Sequence, residues 1–171
     1  MDTHSTPHPG PGAAIAPGTR IGHVHLKVAD LDRALAFWRD IIGFRETQRY
    51  GNEAVFLSAD GYHHHIALNT WESRGGRPPA PGTTGLYHVA ILLPDRAALA
   101  AAVKRVLAAG WPLEGASDHG VSEAVYLRDP DGNGVELYRD RDPAEWPRHP
   151  DGSLAMYTRR LDLPALLRAA A

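Results

Sequence analysis

The sequence predicts an α+β fold built from two tandem βαβββ modules, and three observations predict it. A strand-like run followed by an Asp-opened helix occurs twice. In both copies a His stands seven residues before that Asp: His23 before Asp30, and His88 before Asp95. Each helix closes on Gly plus an aromatic residue, Gly43-Phe44 and Gly110-Trp111. Two copies about 65–70 residues apart make a duplicated module, because a solenoid needs more and shorter repeats.

In IGHVHLKVADL, His23, His25 and Lys27 alternate with Val24, Leu26 and Val28, the period of a strand. Asp30 or Asp32 caps the helix that follows. Leu31, Leu35, Trp38 and Ile42 form its apolar stripe, and Gly43 is its stop. EAVFLS and YHHHIALN read as strands joined by a turn at Asp60-Gly61. Residues 72–85 (ESRGGRPPAPGTTG) form a Pro/Gly loop that separates the halves. The order then recurs: GLYHVAILLPD as a strand, DRAALAAAVKRVLAAGW as a helix, and SEAVYLRD and GVELYRD as strands around the DPDGNG turn. FLSADGYHHHIAL lies without gaps on YLRDPDGNGVELY, which sets Ile66 opposite Glu136. Residues 20–140 thus make one paired domain, with module 1 over about 20–71 and module 2 over about 85–140. Residues 1–19 carry four prolines and three glycines and are expected to be a flexible tail. Residues 141–171 form a loop and a short helix expected to pack on the domain.

Composition removes several function classes. The chain has 171 residues and no Cys, so thiolate catalysis, disulfides and Cys-based zinc sites are excluded. Its 18 Lys and Arg against 20 Asp and Glu provide no basic surface for nucleic acid. No stretch approaches the ~20 apolar residues of a membrane span, and the N-terminal stretch lacks the plan of a signal peptide. The expected location is the cytoplasm. Metal or acid/base chemistry must therefore rest on carboxylates and the ten histidines.

The repeat singles out a few of these. His23 and His88 occupy equivalent places on the first strand of each half, and Glu136 lies on the last strand of the second. Sheets related by a pseudo-twofold axis would bring the three together. Two His and one carboxylate with open positions form the facial triad suited to Fe(II) and related metals. A lone strand His is ordinarily a surface or core residue, and a Glu on a strand is ordinarily solvated. The matched spacing sets these apart. His64, two residues before Ile66, is expected to share its face, with His63 and His65 turned away. His119 lies on a loop entering the strand of Tyr126, and His25 shares the parity of His23.

The repeat, the paired His positions and the DPDGNGVELY ending resemble the vicinal oxygen chelate superfamily, in a one-domain, two-module form. Its members include glyoxalases, extradiol catechol dioxygenases, fosfomycin-resistance enzymes and bleomycin-binding proteins. YHHHIAL, SDHGVSEAVYLRDPDGNGVELYRDR and the W…G…M-Y-T…LDLP tail are most similar to catechol 2,3-dioxygenase-like proteins, over roughly residues 20–165. The resemblance implies a metal triad of His23, His88 and Glu136, with His64, His119 and Tyr126 as catalytic neighbours. It implies a non-haem Fe(II) cofactor, with Mn(II) or another divalent metal as the substitute. The expected substrates are a small aromatic diol and O2, and a homo-oligomer is compatible with this reading. The alternatives are another metal-dependent member or a metal-free small-molecule binder. The metal-dependent ones are a glyoxalase-like isomerase, which Ile66 in place of a fourth ligand disfavours, and a fosfomycin-type transferase.

Overall fold

The structure, a computed structural model, describes residues 14–170. The tail expected over residues 1–19 therefore lies mostly outside the described residues. The fold is mixed α+β, with two sheets of repeated plan. The first module runs β1 (Val24–Lys27), α1 (Leu31–Leu35), β2 (Arg45–Tyr50), β3 (Ala54–Ser58) and β4 (Ile66–Asn69). The second runs β5 (Val89–Leu92), α2 (Arg96–Ala108), β6 (Gly115–Asp118), β7 (Ser122–Arg128) and β8 (Gly134–Asp140). In space the strand orders are β1-β4-β3-β2 and β5-β8-β7-β6, and β9 (Arg159–Arg160) extends the second sheet beyond β6. In each module the first strand runs parallel to the fourth, and the remaining pairs are antiparallel.

Both helices start where the sequence marks them. The Asp30 carboxylate accepts from the Arg33 N–H, and that of Asp95 from the Ala98 N–H, each at 2.8 Å. These bonds satisfy amide donors that the first turn leaves free. The first helix does not stay α-helical. From Ala36 to Ile42 it widens into a π turn, and both Phe37 and Trp38 are fully buried there. α2 turns Leu99, Val103 and Val106 inward.

One core joins the modules on the helix side of both sheets. The Phe37 and Trp111 rings lie 5.0 Å apart. The Arg105 guanidinium donates to the Ile42 carbonyl at 2.7 Å, capping the first helix from the second module. Strand alternation supplies the rest: Leu57, Ile66 and Leu68 from one sheet, and Val125, Leu127 and Leu137 from the other, all face this core. Beyond β8, Leu161 and Leu166 join it, the latter from α3 (Leu163–Leu167).

Three expectations need correction. β2 and β6 are the remaining strands that the βαβββ plan requires, on residues to which the sequence reading assigns none. All of β2 is exposed, so no apolar alternation marks it. The YHHHIALN run is a strand only from Ile66 onward, and His63, His64 and His65 lie in the bend before it. The gapless overlay is also one residue out. Phe56 pairs with Ala67 across the first hairpin, whereas Tyr126 pairs with Glu136 across the second. The first hairpin holds one more residue, and the position equivalent to Glu136 is Ala67, not Ile66.

Candidate functional site

The second sheet builds one polar row on the face away from the helices. Glu136, on β8, is 8% exposed and lies between Ala90 of β5 and Tyr126 of β7. His88 immediately precedes β5, and its Nε2 stands 2.9 Å from Glu136 Oε2. Gly134 makes this approach possible, because a Cβ there would run into the Tyr87 carbonyl oxygen and crowd His88. The His88 Nδ1 atom is buried without a partner among the described residues. The Tyr126 hydroxyl lies 3.3 Å from Glu136 Oε1 and 2.7 Å from His119 Nε2. His88, His119 and Tyr126 line one cavity of about 370 Å³. Burial, and then the neighbouring Glu136 carboxylate, push the Tyr126 phenol up to about 12, so it keeps its proton at neutral pH.

The first sheet gathers a different group. The His23 ring packs at a tilt against that of His64, 4.4 Å between centroids, and lies 6.5 Å from that of His63. The His63 and His64 Nδ1 atoms are 2.8 Å apart. His63 is therefore on the side of His64 rather than turned away, because strand alternation has not begun at these residues. His65 does point elsewhere, toward the Ser58 hydroxyl and the Ala59 N–H, at 3.3 Å each. Burial, followed by the charge of the surrounding histidines, lowers the pKa of His64. His25 bonds to the Asn69 amide at 2.8 Å and packs on Trp71.

Of the six residues singled out in the sequence, the structure brings together His88, Glu136, Tyr126 and His119, and separately His23 with His64. Among the described residues no three His, Cys, Asp or Glu side chains stand close enough to hold a metal ion. His88 and Glu136 nevertheless fit two places of a metal shell, since bonds of about 2.1 Å at a right angle set donors about 3 Å apart. Two contributors carried no sequence signal. Gly134 reads only as part of a turn, and the Tyr157 carbonyl, 3.1 Å from His119 Nδ1, belongs to the backbone.

Comparison with known proteins bears on this geometry. A family model described as the Glyoxalase/Bleomycin resistance protein/Dioxygenase superfamily matches residues 20–137. The chain is 41% identical over 152 residues to a catechol-2,3-dioxygenase of Bacillus subtilis, covering 89% of this chain and 52% of that protein. It is 33% identical over 122 residues to biphenyl-2,3-diol 1,2-dioxygenase 3 of Rhodococcus globerulus, covering 71% of this chain and 63% of the relative. It thus spans only about half to two thirds of these relatives. A solved glyoxalase/dioxygenase structure from Nostoc punctiforme shares the fold, with a TM-score of 0.61 at 20% identity over 77% of this chain and 99% of that one.

Proposed function

This chain belongs to the Glyoxalase/Bleomycin resistance protein/Dioxygenase superfamily, and on that premise we propose that it is a cytoplasmic extradiol dioxygenase cleaving a catechol-type aromatic with O2. The observation that carries the reading is the row His88–Glu136–Tyr126–His119, a candidate metal-ligand pair continuous with two proton-bearing groups, of which His88, Tyr126 and His119 line one cavity. His88, Glu136 and His23 are the ligands of a divalent metal, Fe(II) before Mn(II). A divalent metal held by them would supply Lewis acidity for activating a diol toward O2.

The other residues handle protons and orientation. The Tyr126 hydroxyl oxygen accepts a hydrogen bond from a ring hydroxyl and so orients the diol, and His119 fixes Tyr126 from behind. His64 is the base for a phenolic proton, returned when the ring opens. Both atoms of O2 enter the ring-opened semialdehyde acid, so no outside reductant is required. His23 stands apart from His88 and Glu136 within one chain, so we assign the complete ligand set to a homo-oligomer, in which His23 of one copy meets His88 and Glu136 of another.

The test is anaerobic loading with Fe(II), then addition of catechols and air. Oxygen uptake with a yellow product is expected. A catechol panel that leaves oxygen untouched in metal-loaded protein overturns the reading, and protein that takes up no divalent metal favours a metal-free binder.

A further inference from the structure

The segment after β8 returns to the edge of the second sheet, where β9 pairs with β6 through Ser117↔Arg160 and Asp118↔Arg159. Just before β9, residues 155–158 pass over the loop that carries His119. The Tyr157 N–H donates to the His119 carbonyl at 3.3 Å, and the Ala155 N–H to the Pro147 carbonyl at 2.8 Å. The Arg159 guanidinium covers the outer face of the Tyr157 ring at 4.2 Å. The strap lies so close that only Gly fits at position 120. A Cβ there would sit 2.7 Å from Tyr157 Cε1 and 2.8 Å from Pro147 Cγ, at a backbone φ of +78°.

The strap meets His119 through two oxygens. His119 Nδ1 lies 3.1 Å from the Tyr157 carbonyl oxygen and 3.2 Å from the Thr158 hydroxyl. A carbonyl oxygen only accepts, so Nδ1 must carry a proton. In a neutral imidazole, Nε2 then has a lone pair, and 2.7 Å away is the Tyr126 hydroxyl, which must donate to it. A phenol has one proton. Committed to His119 at 2.7 Å, it is not available to the competing Glu136 Oε1 at 3.3 Å, which would accept it in the other tautomer.

The geometry points to the C-terminal strap as the element that fixes the tautomer of His119, with Thr158 as a positioning residue. By holding the proton on Nδ1, the strap turns the Tyr126 O–H toward His119 and leaves both Glu136 oxygens free for the cation and His88. A Tyr126 proton on Glu136 would instead weaken that carboxylate as a ligand. The consequence for turnover rests on the dioxygenase reading; the tautomer does not.

The experiment is ¹⁵N NMR of the histidine rings in the full-length chain without added metal, at about pH 8.5, above the ordinary imidazole pKa of about 6.5. His119 is expected in the Nδ1–H form, with Nε2 bare. Gly120→Ala drives a methyl group between loop and strap and should shift His119 toward a mixture of tautomers. Thr158→Val should shift it partly, and Thr158→Ser should restore it. A wild-type ring carrying its proton on Nε2 overturns the proposal, and so does a Gly120→Ala protein that folds with an unaltered tautomer. In iron-loaded protein, kcat for catechol should fall about tenfold in Thr158→Val with KM unchanged, in line with the loss of one outer hydrogen bond. An Nδ1–H tautomer in a protein that cleaves no catechol ends the dioxygenase reading alone; catechol cleavage with an Nε2–H ring ends this one alone.

Discussion

Tyr126 separates the two jobs within the polar row. Its hydroxyl touches both His119 and Glu136 but has no place among the ligands, so its removal should spare metal binding and harm turnover. Tyr126→Phe is expected to lower kcat about 100-fold, the usual scale for losing one placed hydrogen-bonding partner of the reacting oxygens. Metal affinity, measured by calorimetry, should stay within about threefold of wild type, since a neighbour rather than a ligand is lost. Unchanged kcat would remove Tyr126 from the mechanism. Glu136→Ala should behave oppositely and abolish tight metal uptake. Undiminished affinity there would mean that the ligand pair is wrongly assigned.

Among the elements, the turn between β7 and β8 ties the modules together. The Asp129 carboxylate accepts from the Asp131 and Asn133 N–H groups, from the Asn133 amide and from the Trp38 indole of the other module, the last at 3.4 Å. Asp129→Ala strands several buried donors and should cost about 3 kcal/mol in denaturant unfolding. Burial holds this carboxyl above the usual Asp range in spite of those bonds. The folded chain therefore keeps the proton to higher pH than the unfolded chain. The resulting stabilisation is full below the unfolded pKa and is lost as pH rises through the raised folded value. Measured against Asp129→Asn, wild-type stability should decline from about pH 4 toward neutrality, across the gap between ordinary and raised carboxyl values. A difference that is flat across that window would contradict the assignment.

The same elements mark what the sequence could say. Both helix starts were legible because an Asp cap is a local event completed within three residues. β2 was illegible because every side chain on it faces solvent, and hydrophobic period is the signal strands offer. The three consecutive histidines misled for a related reason, since a strand reading imposes alternation on residues that lie in a bend. The extra residue in the first hairpin left no trace either, because a turn accepts an insertion without disturbing the apolar pattern on either side. At the site, residue types and spacing singled out His88 and Glu136. The separation of His23 from them depends on how two sheets meet, which no spacing encodes.

At the scale of the whole molecule, the proposal that two copies share one ligand set makes a prediction about mixtures. His23→Ala and Glu136→Ala chains should each be inactive alone. Co-refolded in equal amounts into twofold dimers, they should recover about a quarter of wild-type activity, because half the dimers are mixed and each has one intact site. A mixture that stays at background while the wild type turns over would return all three ligands to one chain. No helix among the described residues is long and apolar enough to cross a membrane.

The continuous core under both sheets has a further consequence. Leu57, Ile66, Leu68, Val125, Leu127 and Leu137 hold the halves together from one face. His88, Glu136, Tyr126 and Ala67 belong to the other face and contribute little to that cohesion. Change on the outer face can accumulate without unfolding the molecule. A gene duplicated into this shape inherits one durable support and two surfaces on which selection acts independently. One surface carries a carboxylate where the other has only the methyl group of an alanine, so the symmetry of the scaffold is not shared by the chemistry.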